Sequence, residues 1–200
     1  MPYPIAENAM KLRTALLALA TAAVLASGAA GAKSRAVTDP EAPRALPEQG
    51  AVDVRWDNPE QFSEIRQSRN RFEARRGNWV EQLAQYVRKR TEAQLQPGQR
   101  LSIEITDIKR AGDYEPWHGP QFDDTRFIRD IYPPRMDLKF TLSDANGQVI
   151  EQGERTLRDM SFLMGLNRTA SATDPLRYEK RMIDTWAYRE FKADQRSASR

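Results

Sequence analysis

The chain has 200 residues, 31 of them lysine or arginine and 28 aspartate or glutamate, for a net charge of +3. So close a balance gives no polyanion-binding signature, and nucleic acid is not an expected partner. The absence of cysteine excludes a disulfide framework, a thiolate nucleophile and a lipidated N-terminal cysteine.

Residues 1–32 carry an address rather than a fold. Lys11 and Arg13 supply positive charge, an Ala- and Leu-rich run follows over residues 15–26, and Ala30-Gly31-Ala32 closes it with small residues. That order is the pattern of a Sec-type secretory signal peptide, with cleavage expected after Ala32 and Met10 as an alternative start. The apolar run falls short of the roughly 20 residues of a membrane-spanning helix, so no stable transmembrane segment is expected after cleavage. The expected location is the periplasm. About 165 residues remain, enough for one domain.

Residues 33–50 hold Pro40, Pro43, Pro47 and Gly50 among small and charged residues and read as a flexible linker. One domain is expected over residues 51–192, with a polar tail over 193–200. Val52, Val54 and Trp56 alternate with polar residues as a short strand. Asn70 with Glu73, and Asn78 with Glu81, have capping-box spacing. Val80, Leu83, Ala84 and Val87 then form one apolar helical stripe, which Pro97-Gly98 ends. Arg66, Arg69, Arg71, Arg75 and Arg76 interleave with Glu64 and Glu73 and read as a solvated face. Trp79 and Trp186 fall on apolar helical faces and read as core.

Leu101, Ile103 and Ile105 mark a second strand, and Met136, Leu138, Phe140 and Leu142 a third. A turn over residues 144–147 returns a hairpin partner over 148–157. Residues 160–166 read as a helical turn. Asp174-Pro175 starts the last helix, with Leu176, Ile183, Trp186 and Ala187 on one face. The expected fold is α+β, a small antiparallel sheet of about four strands packed against two main helices.

Chemistry concentrates between the second and third strands. Residues 109–135 form a connection longer than the 12–15 or so residues that compact domains ordinarily leave irregular. It holds the only histidine, His118, with Asp113, Glu115, Asp123 and Asp124 nearby in sequence. His118, Asp123 and Asp124 are the candidate metal ligands, but their spacing matches no metal motif, and no cofactor is expected. Arg126, Arg129 and Arg135 have the forked donors that suit an anionic ligand. The plainer expectation is that they pair with Asp123, Asp124 and Asp130. Trp117 and Phe122 complete the candidate surface. Without a cysteine or a G-x-S-x-G elbow, nucleophilic catalysis has no constellation to use.

Several blocks occur together: Val52-x-Val54-x-Trp56 with Asn58-Pro59-Glu60, Ile105-Thr106-Asp107, Ala111-Gly112-Asp113, Ile131-Tyr132-Pro133-Pro134-Arg135, Asp159-Met160 with Phe162-Leu163, and residues 174–182. In these the chain resembles a proteobacterial family known as domain of unknown function 3016, over roughly residues 52–191. The resemblance implies an exported protein and no assigned activity, so it transfers no site residue. Three readings follow. The first is a non-enzymatic periplasmic binding or protein-interaction module of the cell envelope, contacting an envelope protein or a small anionic ligand through the 109–135 loop. The second is a small metal- or carboxylate-dependent hydrolase using that loop. The third is a purely structural envelope accessory.

Overall fold

The structure, a computed structural model, describes residues 36–164 and 173–197. The export pattern, the end of the helical turn expected over 160–166, and residues 198–200 of the tail lie outside them. Among the described residues six strands run in chain order: β1 (Val52–Trp56), β2 (Arg100–Lys109), β3 (Asp113–Tyr114), β4 (Arg126–Phe127), β5 (Arg135–Ser143) and β6 (Val149–Arg158). The helices are α1 (Ser63–Arg66), α2 (Arg71–Arg75), α3 (Trp79–Glu92) and α4 (Arg177–Ser197).

Four strands form the main sheet in the order β1, β2, β5, β6. It is α+β as expected, but mixed rather than wholly antiparallel, because β1 pairs with β2 in parallel. Parallel neighbours need a crossover. Here the chain climbs through α1, α2 and α3 before β2 begins. Asn70 caps α2 by accepting from the Glu73 amide at 3.1 Å, as its spacing predicts. Asn78 precedes α3 without capping it, and its Oδ1 accepts from Gln82 Nε2 instead.

Register follows burial. Val54 pairs with Ile103, Ile103 with Phe140, and Ile105 with Leu138, so apolar residues meet on one face. A bulge between Ile105 and Asp107 then breaks the alternation, and Ile108 reaches the core three positions after Ile105. The apolar stripes of α3 (Leu83, Ala84, Val87) and α4 (Ile183, Trp186, Ala187) complete this core. The other face carries solvated pairs such as Arg55–Glu104 and Lys139–Glu154.

Two segments depart from expectation. The presumed linker is packed in its described part: Ala45 bridges Arg55, the Leu46 amide donates to Val54 O at 2.9 Å, and Leu46 is buried. Its prolines suit an edge addition, since an outer strand leaves alternate amides without a ladder partner. The presumed tail continues α4 as far as Ser197.

Candidate functional site

The long connection builds its own ribbon. β3 and β4 pair antiparallel, Asp113 with Phe127 and Tyr114 with Arg126. Gly112 (φ +80°) opens it where a Cβ would lie 2.6 Å from Phe127 O, so only glycine fits. Between the two strands, 3-10 turns start on Pro116 and Pro120, whose fixed φ suits a first helical position.

Three acidic centres organise this region: Glu64 ties the ribbon to α1, Glu115 closes the connection on itself, and Asp107 joins α1 to the start of β5. Glu64, fully buried on α1, accepts from Arg110 Nη2 at 3.0 Å, from the Arg110 amide at 3.0 Å and from Arg126 Nη2, with Lys109 Nζ at 3.4 Å. Burial pushes its carboxyl up, but the charges of Arg110, Arg126 and Lys109 outweigh burial and hold it below the ordinary 4.5. Glu115 accepts from Arg129 Nε at 2.8 Å and Nη2 at 2.7 Å, from Tyr132 Oη at 3.1 Å, and meets His118 Nε2 at 2.8 Å. The Arg129 fork holds this carboxyl below its usual range against the effect of burial, helped by His118 and Tyr132. Asp107 accepts from the Ser63 amide and hydroxyl and from Arg135.

The loop arginines are therefore paired within the chain, as the plainer expectation held, but with other partners. Arg126, Arg129 and Arg135 meet Glu64, Glu115 and Asp107 rather than Asp123, Asp124 and Asp130. Asp113 is buried on Arg69 at 3.0 Å. Asp123 and Asp124 are exposed; the Asp123 amide donates to Pro120 O at 3.3 Å and its carbonyl accepts from Asn70 Nδ2. His118, Asp123 and Asp124 do not converge: among the described residues no group of three or more metal-ligating side chains comes together.

Rings meet on the outside of the ribbon. Trp117 lies 6.1 Å from His118, His118 stacks on Phe127 at 4.6 Å, and Phe122 meets Phe127 edge-on at 6.2 Å. Trp117 is 60% exposed and Phe122 41%. Arg69 stands over Trp117 at 5.1 Å and Arg129 over Phe127 at 5.6 Å.

Glu64 reads in the sequence as part of a solvated face but is fully buried, and Glu179 stands there only as a member of the 174–182 block. Glu179 has a legible signal, since it lies three residues after Leu176 and four before Ile183, on the apolar stripe of α4. It is fully buried, its Oε1 accepts from the Ala111 amide at 2.6 Å, and its Oε2 has no hydrogen-bond partner among the described residues. Burial pushes its carboxyl above the ordinary 4.5, and neighbouring Glu64 adds to the shift. A carboxyl raised in the folded state stabilises the fold fully below its unfolded value near 4.5. That contribution is lost as pH rises through the folded value. Glu179→Gln keeps the neutral shape, so its stability relative to wild type should improve steadily from pH 5 upward in urea melts. Parallel pH profiles for the two proteins would refute a buried neutral acid.

The model of a family described as a protein of unknown function, DUF3016, matches residues 50–189. No curated protein and no solved structure matches the chain.

Proposed function

The chain belongs to the DUF3016 family, whose description assigns no activity, and we propose from its loop geometry that it is a non-enzymatic, protein-binding module of the cell envelope. The observation that carries this reading is the run Trp117, His118, Phe127, Phe122 held outward on a ribbon with satisfied ion pairs beneath it. Exposed rings beside guanidinium groups are the side chains that anchor protein interfaces. Rings that add little to the core and stand on a fixed base lose little freedom on binding. A small anionic ligand is less supported, since the three loop arginines already hold carboxylates. The envelope location rests on the export pattern of residues 10–32.

A hydrolase reading rests on the 2.8 Å contact of His118 with Glu115, which orients an imidazole. His118→Ala would abolish activity of that kind in a hydrolase screen. The binding reading is tested by a photo-crosslinking amino acid at position 117 in living cells. A discrete protein adduct is expected there, weakened by Phe122→Ala and missing when the crosslinker replaces Phe72, which is 73% exposed but outside the loop. The same adducts from both positions would sink the proposal.

A further inference from the structure

The two edges of the main sheet differ. On the β1 side the chain covers its own edge: Leu46 donates to Val54 O and Trp56 donates to Arg44 O, each at 2.9 Å. β6 ends the sheet on the other side, and among the described residues no backbone group pairs with its outer edge. Alternate residues of this ten-residue strand therefore present an N–H and a C=O outward, the template that another strand can extend.

Helix α4 runs beside that edge and leaves a groove of about 600 Å3. Arg155, Leu157 and Arg158 line it from the strand, and Arg181, Thr185 and Arg189 from the helix. Exposed Met160 and buried Trp186 add apolar surface. The charge is one-sided, with four arginines against one aspartate and one glutamate. Both acids are engaged, Glu190 by Arg155 Nε at 2.9 Å and Asp159 by Arg181 at 3.1 Å. The side chains of Arg158 and Arg189 are left exposed, with no hydrogen bond or ion pair among the described residues.

We propose that this groove binds an extended acidic peptide, which joins β6 as a fifth strand and sets its carboxylates on Arg158 and Arg189. Strand addition supplies affinity through the backbone, while the channel between strand and helix reads alternate side chains. The unpaired arginines choose the sign of the ligand. A second copy of the chain is a poorer occupant, because its β6 balances Glu151 and Glu154 against Arg155 and Arg158 and offers no surplus negative charge. The site is separate from the aromatic loop, so either proposal can fail alone.

The probes are dye-labelled decapeptides alternating valine with glutamate or valine with lysine, titrated into the purified chain by fluorescence anisotropy. The glutamate peptide should bind, and Arg158→Glu with Arg189→Glu should weaken it at least tenfold without lowering the melting temperature, both positions being exposed. N-methylation of alternate peptide amides keeps the charge but removes strand hydrogen bonds, and should abolish binding. Hydrogen exchange should show β6 amides newly protected by the unmodified peptide, a readout that Trp117→Ala leaves unchanged. The proposal is overturned if the lysine peptide binds equally well, if the N-methylated peptide binds equally tightly, or if light scattering shows a dimer that the Arg158→Glu change dissociates.

Discussion

Glu64→Gln is expected to destabilise the domain by about 3–5 kcal/mol, the cost of leaving buried cations without their counter-charge. Three positive groups, Lys109, Arg110 and Arg126, converge on this one carboxylate, and its side chain is fully buried. Glutamine preserves the shape and one acceptor but not the charge, so the loss isolates the electrostatic part. For a domain of this size that is a fall in melting temperature on the order of 10 °C. Removing Arg126 as well, as Glu64→Gln with Arg126→Met, should cost less than the sum of the two single changes. A Glu64→Gln protein that melts within a degree or two of wild type would show that the ribbon is held by its apolar contacts alone. Because the native Glu64 carboxyl is lowered, its stabilisation is present above about pH 4.5 and disappears as pH falls through the folded value. That dependence is opposite in sign to the one expected of Glu179.

Trp79→Ala should cost a comparable 3–5 kcal/mol, the usual penalty for truncating a large buried aromatic. Trp79 opens α3, is buried in the core, and donates its indole N–H to Ala74 O at 3.0 Å, tying α3 to the end of α2. Its ring also lies 4.6 Å beneath the Arg110 guanidinium, the same group that holds Glu64. Trp79→Phe keeps most of the apolar area and should cost about 1 kcal/mol, the usual net worth of one hydrogen bond. The shared Arg110 also means that Trp79→Ala and Glu64→Gln should not add in chemical denaturation. Strict additivity of the pair would argue that Arg110 couples neither side to the other.

What the sequence by itself determined was local and periodic. Alternation fixed β1, β2 and β5, and the stripe of Val80, Leu83, Ala84 and Val87 fixed the buried face of α3, because burial repeats every two residues in a strand and every three to four in a helix. The Asn70 cap was readable because a cap and its amide lie three residues apart. Residues 109–135 stood out for length and aromatic content, and their arginines for needing partners.

What only the tertiary structure decided depended on groups far apart in the chain. The parallel pairing of β1 arises from the helical crossover, which no strand pattern encodes. Arg126 finds Glu64 across 62 residues, and Arg135 finds Asp107 across 28, while acidic residues close in sequence are passed over. Charge composition supplies candidates, and only packing assigns pairs. The segment over 33–50 read as a linker because its prolines and charges lack periodicity. Its part over residues 44–46 pairs with the free edge of β1, a template contributed by the rest of the fold.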